Sequence, residues 1–386
     1  MKKMFQRFTA LLLALCLMGV PAMASDAEEN NEILTTEENN ELVLTLDDAI
    51  KIAKENNPQL NASDAAIKSA ELNREVTEEN QREFDSMAKH FTVAVNVSNG
   101  MDVAYLKHGY YLKAANVGLE LEKMEKNKVE ASISYDVTEK YFNVKLMEEL
   151  VKIGEKSVEI AKSNADIINK NYELGFVSLM EVKNAEAAVK KAQASAESYR
   201  RNQKLATDSF KIALQMENSD KTLKLTDEIT IPSLPENWEE KIEEATNSRY
   251  DVTALKKAYE LSEEYFNITK KYVNDRTAKY HSAYSDYINS KYTYENTLKL
   301  IKLGLRSEYM NILTCSDAIV NAENDLEIKT IDYESAKIKY EMGVITNLEL
   351  TAKMAELDSV RVQLENARLT YLLAVLKFNY NIVIGI

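Results

Sequence analysis

Glycine and proline are scarce, with 9 Gly and 4 Pro in 386 residues. Average usage would supply about 46 of the two together. β-Sandwiches, barrel enzymes and doubly wound α/β domains make many tight turns and depend on these residues, so such folds are excluded. Cysteine is limited to Cys16 and Cys315, too few for a disulfide framework. There is no HExxH, no CxxC and no Gly-rich phosphate loop, and His90, His108 and His281 lack the paired spacing of metal ligands. Carboxylate pairs such as Glu148-Glu149 and Glu263-Glu264 lie within charged helix faces, where solvation is their ordinary role. The chain therefore reads as a non-enzyme, with no cofactor and no metal expected. Positive charge is also in deficit: 48 Lys+Arg face 62 Asp+Glu, for a net charge of −14. A nucleic-acid partner would call for the opposite sign, arranged in basic stripes.

What remains is the composition of long helices, with charged residues at 28% and abundant Ala, Glu, Lys and Leu. The N-terminus stands apart. Lys2, Lys3 and Arg7 precede an apolar run from Phe8 to Val20, and Ala22-Met23-Ala24 offers small residues for cleavage before Ser25. Residues 1–24 thus read as a signal peptide of an exported protein. The acidic, Asn-rich stretch 25–42 reads as a flexible leader. No later run approaches the ~20 apolar residues of a membrane-spanning helix. Cleavage would leave Cys315 alone, without an intrachain partner.

Helical sequence extends from Leu44 to about Gln81, broken at Asn57-Pro58, and again from about Lys107 to Met216. Pro232 and Pro235 mark a linker over 218–237, after which helical sequence runs from Trp238 to the end. The two helical parts are copies. Tyr172-Glu173-Leu174-Gly175-Phe176-Val177-Ser178 recurs as Tyr340-Glu341-Met342-Gly343-Val344-Ile345-Thr346, 168 residues later. Upstream, Val137, Val144, Val151, Val158, Ala165 and Tyr172 recur at that same offset of 168 as Leu305, Ile312, Ile319, Leu326, Tyr333 and Tyr340. An apolar period of seven sustained this long predicts helices supercoiled on neighbours, with the stripe as their seam. Cys315 falls beside that seam.

Each copy, 43–217 and 238–386, is thus an αα-hairpin with its glycine at the tip. Gly175 and Gly343 suit a left-handed C′ position, and Ser178 and Thr346 suit N-caps of the returning helices. Those structural roles leave Phe176, Val177, Val344 and Ile345 unexplained, because bulky apolar residues on an exposed turn mark a docking surface. The rising helix would measure about 100 Å, too slender to hold a core without partners.

The opening LTLDDAIKIAKENNPQL (44–60), its weaker echo EEKIEEATNSRYDVTAL (239–255) and the two Y-E-x-G-x-x-[S/T] tips, in tandem, resemble the TolC-like outer membrane efflux protein family over about Leu44 to Gly385. That resemblance implies a mainly all-α subunit with two long αα-hairpins, assembling as a homotrimeric tunnel. It also implies a periplasmic adaptor at the tips, an inner-membrane pump as partner and contact with the outer membrane. On the same basis the tip residues Tyr172, Gly175, Phe176, Val177, Ser178, Tyr340, Gly343, Val344, Ile345 and Thr346 form the adaptor-docking surface. Glu349, six residues after Gly343, takes the place of an acid at the tunnel entrance. A second acid expected three residues on is absent, since Ala352 and Lys353 stand there.

The pattern departs from the family at the opposite end, where a barrel of four strands per subunit would be expected. Phe91, Val93, Val95 and Val97 alternate with small or polar residues, Asn99-Gly100 suits a hairpin turn, and Met101–Tyr105 offers a return strand. Such strands of about 7 residues fall short of the ~9–11 that cross a bilayer. The stretch also admits helix or loop. In the second copy a reversal near Asn274-Asp275 joins helix to helix. Tyr280, Tyr284, Tyr287 and Tyr294 follow on one helical face, suited to subunit packing or to a headgroup belt. Two readings stay open: a passive conduit of an efflux or secretion system, and a barrel-less coiled-coil envelope scaffold that carries no solute.

Overall fold

The structure is a computed structural model that describes residues 41–90, 101–219, 221–228 and 230–385. The expected signal peptide, most of the leader and the Phe91–Gly100 strand candidate lie outside the described residues. Strand β1 (Glu41–Leu44) leads into helix α1 (Leu46–Asn56), α2 (Pro58–His90), α3 (Asp102–Lys107), α4 (Tyr110–Glu173) and α5 (Leu179–Ala213). Strand β2 (Thr222–Leu225) follows, and the second copy comprises α6 (Trp238–Ser248), α7 (Tyr250–Tyr272), α8 (Ala278–Glu341) and α9 (Asn347–Val383).

The breaks follow local chemistry. Thr45 opens α1 through a capping box: its hydroxyl accepts from Asp48 N–H at 3.1 Å while the Asp48 carboxylate accepts from Thr45 N–H at 3.3 Å. The Thr45 hydroxyl also donates to the Asp48 carboxylate at 2.6 Å, and this bond, followed by the one from Thr45 N–H, holds the Asp48 carboxyl below its ordinary pKa. Asn57, extended at φ −80°, ψ 117°, separates α1 from α2 because Pro58 disfavours a helical predecessor. Gly109, at φ 66°, turns the chain from α3 into α4.

The internal repeat is realised as symmetry. Helices α4 and α8 are both 64 residues long, about 96 Å at 1.5 Å per residue. Helix α5 returns along α4 and α9 along α8, with α2 and α7 laid beside the long helices and α9 also contacting α4. The part of the seam away from the tips is buried in two equivalent cores, whereas towards the tips Val158, Leu326 and Tyr333 are half-buried and Tyr172 is exposed. In the first, Val137, Val144 and Phe210 pack with Tyr141 and Leu214; in the second, Leu305, Ile312 and Phe378 pack with Ile319 and Tyr371. Cys315 is buried within the second core.

Two features correct the sequence reading. The return strand expected at Met101–Tyr105 is helix: Asp102–Lys107 forms α3. Met101, Ala104 and Tyr105 stand at i, i+3 and i+4, and all three are buried against Ile268 and Tyr110. Over five residues this spacing and a strand's alternation are indistinguishable until a partner face is present. Helix α2 likewise continues past Gln81 to His90, because Phe84 is buried one turn further on.

The second correction concerns strands. β1 starts inside the expected leader and β2 inside the expected linker, and they pair in parallel from Glu41↔Thr222 to Leu44↔Leu225. Tyr141, fully buried, bolts the pair: its hydroxyl donates to Leu44 C=O at 3.3 Å and accepts from Asp227 N–H at 3.0 Å. The Asp227 carboxylate in turn accepts from Leu46 N–H at 2.6 Å.

Between α7 and α8 the chain reverses at Val273–Thr277, helix to helix, with Thr277 capping α8. No helix among the described residues is long and apolar enough to cross a membrane.

Candidate docking tips

The two tips are built from identical hydrogen bonds. In the first, Gly175 N–H donates to Tyr172 C=O at 2.9 Å and Phe176 N–H to Asn171 C=O at 2.8 Å. In the second, Gly343 N–H donates to Tyr340 C=O at 2.9 Å and Val344 N–H to Lys339 C=O at 2.8 Å. This is a Schellman termination, which needs a left-handed residue at C′; Gly175 has φ 76° and Gly343 φ 71°.

The returning helices start from matching capping boxes. Ser178 Oγ accepts from Glu181 N–H and Thr346 Oγ1 from Glu349 N–H, each at 3.3 Å. The two glutamates reply by accepting from Ser178 N–H and Thr346 N–H, each at 2.8 Å. Glu349 is thus exposed at the tip, with one carboxylate oxygen committed to the cap, and Glu181 is engaged in the same way. Both acids also sit at a helix N-terminus, where the dipole favours them.

The rigid turns leave apolar residues in solvent. Phe176 is 77% exposed and Val344 66%. Val177 and Ile345, expected to share that surface, turn inward and are half-buried. Val177 packs on a small tip core of Ala165, Ile168, Val182 and Ala185. Two further exposed pairs at equivalent positions went unread in the sequence: Leu174 with Met342, and Met180 with Leu348. Their signal was available, since each pair occupies the repeat offset next to the glycine or the cap.

The tips also touch each other. Asn164 Nδ2 donates to Oδ1 of the fully buried Asn347, joining α4 to the start of α9. Tyr340 is half-buried; desolvation and the neighbouring Glu181 carboxylate raise its phenol pKa, whereas Tyr172 in the first copy is exposed. Among the described residues no group of His, Cys, Asp or Glu is placed to hold a metal ion. His90, His108 and His281 lie at the far end of the molecule from the tips, on α2, between α3 and α4, and on α8.

No family model and no curated protein matches the chain. Solved structures do. The chain superposes on CusC, a protein described as undergoing transmembrane channel formation, with a TM-score of 0.71 and 12% identity over 88% of this chain and 92% of that one. For the Campylobacter jejuni CmeC outer membrane channel the TM-score is 0.65 and the identity 12%, over 96% of this chain and 94% of that one. For the open state of the Neisseria gonorrhoeae MtrE outer membrane channel they are 0.64 and 13%, over 88% and 89%. At such identities the likeness is one of fold, and it extends over nearly the whole of each partner. The chain has a TolC-like fold, that of a helical tunnel subunit from an outer membrane channel.

Proposed function

We propose that this protein is an exported, homotrimeric conduit of the cell envelope that docks an adaptor at its hairpin tips and passes solute driven by a partner pump. The observation that carries the reading is the matched set of exposed apolar residues on two rigid tips: Leu174, Phe176 and Met180 with Met342, Val344 and Leu348. Exposing them in two copies is costly unless a partner covers them. Assembly is supported by a second stripe on α8. Leu303, Met310, Ile331 and Ile338 share one seven-residue register, interrupted by Asp317 and Asn324, and all four are exposed in the single subunit, as two apolar patches for a neighbouring copy to cover. In such a trimer three Glu349 carboxylates would ring the entrance, where mutual repulsion resists joint ionisation and attracts cations.

Sedimentation of the purified protein should give a trimer; a monomer at high concentration would remove the tunnel. Phe176→Asp with Val344→Asp should abolish adaptor binding and export in the host while leaving the trimer intact. Unchanged export in that variant is the result that defeats tip docking. Glu349→Gln keeps a capping acceptor but removes the charge, so it isolates the entrance role from the helix-start role.

A second reading, a scaffold that carries no solute, is favoured by one observation. Among the described residues, the end opposite the tips is closed by α3 and by the Val273–Thr277 reversal, and none of them there forms a strand. Trimer formation and adaptor binding without solute flux would select it.

A further inference from the structure

The end opposite the tips is cationic on an otherwise acidic protein. Residues 86–90, 101–113 and 267–281 carry seven Lys or Arg against two Asp, whereas the whole chain carries −14. All 3 histidines of the chain fall in the same three segments. The segments come together in space. Met101, Ala104, Tyr105, Tyr110, Ile268 and Val273 form one buried cluster, and Gln81 Nε2 donates to Leu106 C=O at 3.0 Å, so that α2 runs alongside it. Lys113 is paired with Glu264, and Glu260 and Glu263 line the same groove as His108 and Lys271, so the excess of positive charge is confined to the outermost turns. Lys89, Lys107, Lys270, Lys271, Arg276 and Lys279 are exposed and form no ion pair among the described residues.

Helix dipoles account for part of this. Lys89, Lys270 and Lys271 end α2 and α7, where cations are favoured. They do not account for Arg276, or for Lys279 in the first turn of α8, although the Lys279 ammonium lies over the Tyr105 ring, 6.0 Å from its centroid. Both long helices begin at this end without an acid in their first turn, although that is where a carboxylate would stabilise them. The tips follow the opposite rule, with Glu181 and Glu349 in the first turns of α5 and α9. Arg276, exposed and without an ion pair among the described residues, is retained against the dipole and points to an anionic partner.

The surroundings fit a lipid surface. Tyr105 stacks on Tyr265 with ring centroids 4.7 Å apart, giving the basic face a stiff aromatic floor. Tyr284 and Met87 are exposed at its rim. Tyrosine and lysine together suit the headgroup region, with rings at the interface and ammonium groups on phosphates.

We infer that this helical, basic end docks peripherally on an anionic phospholipid surface, holding the subunit upright against a membrane that no helix among the described residues is long and apolar enough to cross. This inference is independent of adaptor docking and of transport.

The test is flotation of the full-length purified protein with vesicles of phosphatidylcholine containing one-quarter phosphatidylglycerol, against pure phosphatidylcholine. Binding is expected only with phosphatidylglycerol, and it should fall sharply in 0.5 M salt, where screening shortens to about 4 Å. Each cation near an anionic surface contributes about fivefold to partitioning. Lys270→Gln/Lys271→Gln/Arg276→Gln should therefore lower the partition coefficient by about 100-fold. Circular dichroism checks that the triple variant still folds, and Val344→Asp, at the far end, should bind vesicles as the parent does. Equal binding to both vesicle types, undiminished binding of the folded triple variant, or binding to isolated cell-wall polyanion without binding to vesicles each overturns the proposal.

Discussion

Gly154 on α4 offers a sharp test of how the first hairpin packs. A Cβ added there would lie 2.9 Å from Tyr199 Cδ2, 3.0 Å from Ala196 Cα and 3.3 Å from Ala196 Cβ, all on α5. Tyr199 can swing aside, but the Ala196 backbone moves only if α5 moves. Two effects oppose each other in Gly154→Ala. Helix propensity favours alanine by about 0.8–1.0 kcal/mol, while overpacking a close helix contact costs about 1–3 kcal/mol. The controls are in the same molecule. Gly118 on α4 and Gly304 on α8 meet nothing within 4 Å of an added Cβ, so Gly118→Ala and Gly304→Ala keep the propensity gain alone. Subtracting the Gly118→Ala result from the Gly154→Ala result cancels propensity, leaving a packing cost of about 1–3 kcal/mol. Urea unfolding at one fixed protein concentration measures it, because the proposed assembly would make stability concentration-dependent; the m-value should stay constant. If Gly154→Ala stabilises as much as Gly118→Ala, α4 and α5 do not approach as described. A Gly154→Leu variant, larger still, should shift the midpoint much further in the destabilising direction.

Three further outcomes follow from local chemistry. Thr346→Ala removes the cap of α9 and should cost about 1 kcal/mol, seen as faster amide exchange at Leu348 and Glu349; an unchanged rate would refute the capping box. Burial pushes the Cys315 thiol above its ordinary pKa, so at pH 8 a thiol reagent should modify the folded protein far more slowly than the urea-unfolded chain. Equal rates would place Cys315 outside the core. Lys329 and Lys353 hold the Glu356 carboxyl below its ordinary value of 4.5. A depressed carboxylate adds stability at pH values above that ordinary value and loses it as pH falls through the lower folded value. Glu356→Gln should therefore narrow the stability difference between pH 7 and pH 3, as measured by urea midpoints; a wider gap would contradict the sign.

Where a residue's neighbours along the chain decide its conformation, the sequence was enough. Asn57-Pro58 breaks α1 from α2, Gly175 and Gly343 end the long helices in the left-handed region, and Ser178 and Thr346 start the next ones. All are decided within six residues, so the repeated tip motif could be read directly. The heptad stripe could be read for the same reason: a period of seven from Val137 to Tyr172, repeated from Leu305, needs only one helix to be visible, and it marks α4 and α8 as long helices with an apolar seam. The scarcity of Gly and Pro belongs to this group, since a chain with few turns has few places to end its helices.

Tertiary structure decided what depends on a partner face. Met101, Ala104 and Tyr105 become helix because Tyr110, Tyr265 and Ile268 are there to bury them. ELVL and TLKL, four residues each, become strands because they meet one another and Tyr141 across 181 residues of chain. Val177 and Ile345 are half-buried while Phe176 and Val344 stay out, a division that turn chemistry does not set and that, in the first tip, the small core beneath Val177 does. The cationic end was likewise hidden in a chain of net negative charge, because its cations come in two groups, 89–113 and 270–279, more than 150 residues apart and joined only when the two copies lie side by side.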